Sequence, residues 1–277
     1  MNQNGNTQNL KLHFQRFEFK YILNKEQEAA IKKRIAPYVV PDPFTRATRN
    51  GLYEVRSLYY DSPGFYYYHE KIDGVKKRKK VRLRTYRNNG EYEPYAFFEI
   101  KRKYDAVILK DRFIMSVADY RKLIENDDFH DTESSQDQNR KDIIKEFEWE
   151  AHLRSIVPKV LVVYDREPYL GRYNANFRVT FDTNIRAIEN DNLFYPGNDF
   201  VEVCPRIGVM ELKFTGTLPF YVYEVIKEFN LERFPYSKYC NAVEACGSLS
   251  AVKVPSVMNA LTESAEMENL GAVFAGA

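Results

Sequence analysis

The chain has 277 residues, 44% of them hydrophobic, with 41 Lys and Arg against 39 Asp and Glu for a net charge of +2. That length and apolar content suffice for one large domain, the 21 Tyr and 19 Phe favour strands, and the near-neutral charge excludes a globally basic nucleic-acid binder, so any basic surface has to be local. Cys204, Cys240 and Cys246 form no CxxC pair and the four His are scattered, which excludes a disulfide framework and a zinc site and fits a reducing cytoplasm; no apolar run approaches the roughly 18 residues of a membrane span.

Residues 1–10 are polar and predict a disordered lead before a domain over 11–249. The first strand, Arg16 to Tyr21, runs into a helix that Asn24 caps, with Gln27 as its box partner and Pro37 as its stop. A loop over 41–50 leads to a strand at 53–60, ended by the turn signal Asp61-Ser62-Pro63-Gly64; the segment 65–72 is ambiguous. Strands at 79–87, 95–103 and 107–115 follow as a meander. Ser116 and Asp119 open a short helix, and 127–141 is a polar insertion with nothing to bury, expected to be mobile. Ile143, Ile144, Phe147 and Ala151 recur at helical spacing before Pro158. Strands resume at 160–166, 176–183 and 208–214; helices start at Pro219 and Ser237; and 250–277 is a weakly amphipathic tail.

Side chains alternate along a strand, so Arg16, Glu18 and Lys20 share one face while Phe17, Phe19 and Tyr21 share the other. The same pattern returns in Val81-Arg82-Leu83-Arg84, Phe98-Glu99-Ile100-Lys101, Tyr164-Asp165-Arg166, Phe177-Arg178-Val179 and Met210-Glu211-Leu212-Lys213. Such faces either point to water or close into a barrel whose basic lumen holds a polyanion. The run 76–87 holds eight Lys or Arg and no acid. Residues 76–80 read as a solvated face. Arg82 and Arg84 differ, because two guanidinium forks on one strand face suit phosphate oxygens. Glu99 and Glu211 either neutralise Lys101 and Lys213 or supply carboxylates for Mg²⁺ or Mn²⁺, which phosphate chemistry requires in small number beside many bases. Ser237 is a helix N-cap, and Tyr236-Ser237-Lys238 also forms a ready anion site.

The order Arg16-Phe-Glu18-Phe-Lys20-Tyr21, Ser57-Leu-Tyr59-Tyr-Asp61, Val81-Arg82-Leu-Arg84-Thr-Tyr86, Phe98-Glu99-Ile-Lys101, Tyr164-Asp-Arg166, Arg178-Val-Thr-Phe-Asp182, Glu211-Leu-Lys213 and Ser237-Lys238-Tyr239 resembles the catalytic domain of the vacuolar transporter chaperone polyphosphate polymerases, a branch of the triphosphate tunnel metalloenzymes. The resemblance covers about residues 11–245. It implies an α+β fold, an antiparallel β-barrel forming a triphosphate tunnel with helices packed around the outside. By position, it implies that Lys20, Arg82, Arg84, Lys101, Lys110, Arg166, Arg178, Ser237 and Lys238 bind phosphate, joined by Lys213, that Tyr164 lines the wall, and that Glu211 binds a divalent metal, Mn²⁺ or Mg²⁺, with Glu99 and Glu18 as further metal candidates. Hydrolases and cyclases of the superfamily open with ExExK, whereas Arg16 stands first here, as in the polymerase branch.

The expected activity is transfer of the γ-phosphate of a nucleoside triphosphate such as ATP to a growing polyphosphate chain. The alternatives are hydrolysis of tripolyphosphate or nucleoside triphosphate in the same tunnel, and a non-catalytic module that binds polyphosphate or another polyanion. The sensor and membrane domains of the eukaryotic members are not among these residues, which predicts a free-standing cytoplasmic module with no membrane segment of its own, leaving a membrane-protein partner open.

Overall fold

The computed structural model describes residues 16–46, 48–105, 107–126 and 137–249; the predicted lead, the tail and most of the polar insertion lie outside these. Its strands are β1 (Arg16–Asn24), β2 (Val39–Pro41), β3 (Tyr53–Asp61), β4 (Lys77–Asn88), β5 (Glu91–Tyr92), β6 (Tyr95–Tyr104), β7 (Val107–Ser116), β8 (Val157–Gly171), β9 (Arg178–Glu189), β10 (Val201–Glu202) and β11 (Ile207–Thr215). The helices are α1 (Lys25–Ile35), α2 (Tyr66–Ile72), α3 (Val117–Asn126), α4 (Gln138–Arg154), α5 (Phe220–Glu228) and α6 (Lys238–Ala245). The fold is α+β. All strands join one antiparallel sheet whose main path is β1-β11-β9-β8-β3-β4-β6-β7, curled into a half-barrel.

The period-2 alternation decides how this sheet is covered. Leu58, Leu83, Phe98, Ile100 and Phe113 point to the outer side, where Ile143, Ile144 and Phe147 of α4 and Tyr120 and Leu123 of α3 bury them. On the other half, Tyr21, Phe181, Met210, Leu212 and Phe214 meet Ile31 and Ile35 of α1 and Val222 and Val225 of α5. The predicted start of α1 is realised in full: Asn24 accepts from the Gln27 backbone, and the Gln27 side chain accepts from the Asn24 backbone. The insertion is shorter than predicted. Residues 138–141 belong to α4, because the Asp137 carboxylate accepts from the backbone N–H groups of Asn139 and Arg140 and so starts the helix there.

α6 packs on the opposite, concave side. Its Tyr239, Cys240, Ala242 and Val243 are buried against Val55, Tyr59, Val160, Val162 and Tyr164. A bulge between β8 and β9, with Asn184 at φ 49°, lets Asp182 and Ile185 both face this side although three residues apart. Curling brings the far ends of the strand path within side-chain reach: the Lys101 ammonium of β6 lies 3.4 Å from the Glu18 carboxylate of β1. Among the described residues no helix is long and apolar enough to cross a membrane.

Candidate functional site

The alternating charges predicted for separate strands meet on the concave face. Ladder register places Lys20 opposite Glu211, Glu18 opposite Lys213, Arg178 opposite Lys213 and Arg166 opposite Asp182 on the β1-β11-β9-β8 half. On the β3-β4-β6-β7 half, Arg84 is opposite Ser57, Arg82 is opposite Tyr59 and Glu99, and Lys101 is opposite Lys80 and Lys110. Among the described residues, Lys20, Lys80, Arg82, Arg84, Lys101, Lys110, Arg166, Arg178, Lys213 and Lys238 thus confront five carboxylates, those of Glu18, Glu99, Asp182 and Glu211 and that of Asp42 in the loop after β2.

Each cation is held by a short list of partners. Arg82 donates from Nε to Glu99 at 2.7 Å and from Nη1 to the Tyr59 hydroxyl at 3.0 Å. Arg84 has only neutral partners, Ser57 Oγ at 3.0 Å and the Tyr164 hydroxyl at 3.4 Å. Arg166 grips Asp182 with two hydrogen bonds, 2.6 and 2.8 Å, and Lys238 donates to the same carboxylate at 2.6 Å. The buried Tyr164 ring lies beside both, 5.3 Å from the Arg166 guanidinium and 4.7 Å from the Lys238 ammonium. Lys20 donates to the Tyr236 carbonyl at 3.1 Å, and Lys80 to Ser237 Oγ at 2.7 Å. Ser237 itself accepts from the Cys240 backbone as the N-cap of α6, so two lysines converge on the start of that helix. Lys213 pairs with Glu211, Lys110 with Glu99, and Arg178 lies 3.2 Å from Asp42 in the loop after β2.

Electrostatics follow from crowding charge in a face with little water. Burial alone would raise the carboxyls of Glu18, Asp182 and Glu211, but neighbouring cations outweigh it. Glu18 is held down at about 2 by Lys20, Lys101 and Lys213 against repulsion from Glu211; Arg166 and Lys238 keep Asp182 low, and Lys213, Lys20 and Arg166 keep Glu211 well below the usual carboxylate range. The cations divide. Burial depresses Lys80 and Lys213, and depresses Lys110 to about 8 despite Glu99, whereas Glu211 and Glu18 raise Lys20 in spite of its burial. Burial would raise the Tyr59 phenol, yet Arg82, Arg84 and Lys80 bring it down to about 8.

Glu18 and Glu211 sit on adjacent strands, repel one another and lie among lysines that phosphate oxygens can also engage. That donor set fits a hard divalent ion, which takes one or two carboxylates and fills its remaining positions with phosphate oxygens and water. Glu99 lies on β6, 1% exposed, with Arg82 on one oxygen and Lys110 on the other. Among the described residues no three His, Cys, Asp or Glu cluster as a metal site.

Two participants escaped the sequence reading. Lys80 is not part of a solvated run: it shares the parity of Arg82 and Arg84 and reaches Ser237, a signal available in the alternation itself. Its neighbour Lys79 points outward, to Glu146 at 2.7 Å and Glu150 at 2.5 Å on α4. Asp182 is fully buried and orders two cations, and it lies four residues after Arg178 on the same strand face.

Comparison with solved structures gives a Bacillus halodurans protein described as a candidate adenylate cyclase (14% identity, 80% of this chain and 95% of that chain, TM-score 0.46). It also gives a Pyrococcus horikoshii protein (14%, 83% and 98%, TM-score 0.40) and a Hippeastrum adenylyl cyclase candidate described as having a dominant triphosphatase activity (11%, 86% and 98%, TM-score 0.43). A search of curated proteins found no match. The VTC domain matches residues 15–246, from the first charged strand to the end of α6, and the chain belongs to the VTC domain family.

Proposed function

We propose that the chain is a metal-dependent polyphosphate polymerase that moves the γ-phosphate of a nucleoside triphosphate onto the end of a polyphosphate chain along the concave face. The observation that carries this reading is the charge ratio there: among the described residues, ten Lys and Arg against five carboxylates, a surplus that a polyanion would neutralise.

Phosphoryl transfer asks a protein for in-line placement and for compensation of charge on the transferring oxygens rather than for covalent chemistry. Arg84, whose hydrogen-bond partners are both neutral hydroxyls, is the arginine of the face least committed to a carboxylate and gives its charge to phosphate oxygens. Arg82, Lys101 and Lys110 flank it on β4, β6 and β7, while Arg166, Arg178, Lys213 and Lys20 face it from the other half, so a phosphate chain laid along the face is gripped from two sides. Ser237 and Lys238 present a hydroxyl, a cation and helix N–H groups at the start of α6. The attacking terminal phosphate is already anionic, so no general base is required. Glu211 and Glu18 are the residues that would hold a divalent ion, which when bound would supply Lewis-acid compensation of charge on phosphate.

The test is incubation of the purified protein with ATP and Mn²⁺, with long-chain polyphosphate and orthophosphate measured together. Polyphosphate accumulating in step with ADP is the expected result. Orthophosphate in its place makes the protein a hydrolase, and no turnover with tight polyphosphate binding makes it a binding module.

A further inference from the structure

The end of the sheet formed by the β6–β7 hairpin, the start of β4 and the end of α2 lies beyond the ion pairs of the concave site, with Arg78 and Lys103 continuing the strand face of Lys80 and Lys101. Ladder register builds it in rows across three strands: Lys77, Tyr104 and Val107 in one, Arg78, Lys103 and Ile108 in the next. The two rows lie on opposite faces of the hairpin: Lys77 stands beside Tyr104 on one, and Lys103 stands beside Ile108 of the edge strand on the other. Tyr104, Val107 and Leu109 are 63%, 56% and 59% exposed, and Ile72 and Val75 are exposed beside them. Backbone contacts tie the parts together: Asp105 N–H donates to the Lys76 carbonyl and Val75 N–H to the Glu70 carbonyl. Burial, with Arg78, Lys71 and Lys101 of the concave face nearby, depresses Lys103 below the usual lysine range.

A protein surface does not normally leave that much aliphatic and aromatic area on a strand edge, here one without a second partner strand among the described residues, where charge or cover usually blocks association. Here Lys71, Lys76, Lys77, Arg78 and Lys103 surround it, against the exposed carboxylates of Asp73 and Asp105. Apolar side chains at the tip with a cationic collar match one surface in both respects: the interface of an anionic lipid bilayer, whose acyl boundary accepts the tip and whose phosphates accept the collar. We propose that this end of the molecule docks on anionic membranes, with Tyr104, Val107 and Leu109 entering the headgroup region and Lys76, Lys77, Arg78 and Lys103 contacting the lipid phosphates. The docking is independent of the proposed polymerase activity, since none of these residues belongs to the concave face's ion-pair network.

The experiment is vesicle co-sedimentation of the full chain with phosphatidylcholine alone and with phosphatidylcholine–phosphatidylserine mixtures, at low and high salt, with saturating tripolyphosphate to occupy the concave face. Binding is expected only to the anionic vesicles, weakened by salt and retained with tripolyphosphate. Replacing Lys76→Gln, Lys77→Gln and Lys103→Gln together should weaken it about 100-fold, at about fivefold per cation. Tyr104→Ser, Val107→Ser and Leu109→Ser together should abolish sedimentation while leaving ATP turnover and melting temperature unchanged. Equal binding to neutral and anionic vesicles, no binding to either, loss of binding with tripolyphosphate, or full binding by either triple variant would each overturn the proposal.

Discussion

Asp182 offers the sharpest test of how the concave face is balanced. Its side chain is fully buried, and it neutralises Arg166 through two hydrogen bonds and Lys238 through a third. Asp182→Asn keeps the shape and removes the charge, leaving two buried cations with Glu211, 4.0 Å from Arg166, as the nearest remaining carboxylate. Removing one partner of a buried pair costs about 3–5 kcal/mol. For a domain of this size that is a fall in melting temperature of about 6–20 °C. A triphosphate bound on the face supplies the missing negative charge, so saturating tripolyphosphate should raise the melting temperature of the variant by more than that of the wild type and narrow the gap between them. The assay is thermal unfolding of both proteins with and without tripolyphosphate, in metal-free buffer. A variant that melts with the wild type, or a gap that tripolyphosphate leaves unchanged, would refute the view that Asp182 holds cations in readiness for phosphate.

Arg84→Ala leaves only two hydroxyls without a partner, so it should cost about 1 kcal/mol of stability and at least about 100-fold in turnover; Arg82→Ala also frees the buried Glu99 carboxylate and should lose both activity and several degrees in melting temperature. Glu211→Gln should stop metal-dependent synthesis while tripolyphosphate affinity, read by calorimetry, is kept or strengthened; undiminished synthesis would take the metal away from Glu211. Lys110 and Tyr59 both titrate at about 8, so tripolyphosphate affinity should fall as pH rises through 8, where the face loses a positive charge and gains a negative one. Both groups keep their protons to higher pH when unfolded, so their contribution to stability rises between about 8 and 10, opposite in sign to the affinity. Lys110→Arg with Tyr59→Phe should flatten the affinity profile, and an unchanged alkaline fall would assign it to other groups.

Much of this architecture was legible because charge and aromatic side chains alternate at period two, which fixes both the strands and the face each residue occupies. Lys20, Arg82, Arg84, Glu99, Lys101, Arg166 and Glu211 could be placed on polar faces from that alone. Where the alternation breaks, the reading failed. The strand predicted at 176–183 runs on to Glu189, because the bulge at Asn184 inserts one residue and inverts the pattern beyond it. The segment 65–72 gave no clear signal: three consecutive tyrosines favour a strand, and Phe65 at the helix start has no capping side chain. α2 is started instead from a distance, by the buried Asp61 carboxylate accepting from the Tyr67 and Tyr68 backbones. The position of α6 on the concave side depends on the curl of the whole sheet, which no local pattern encodes.

The contact between Glu18 and Lys101 carries a consequence for how a polymer reaches the face. A barrel closed by a ladder of backbone hydrogen bonds admits a chain only by its ends, so a long polyphosphate would have to thread. Here the strand path stops at β1 and β7, and no ladder joins the two flanks: they meet through the partly exposed Glu18–Lys101 ion pair at 3.4 Å and through residues 234–237, which Lys20 contacts from β1 and Lys80 from β4. Parting such a pair costs about 1 kcal/mol or less, far below the cost of unzipping a ladder. The Glu18–Lys101 side of the seam is therefore its compliant part, and under the proposed function a strand already long at both ends would enter there without a free terminus.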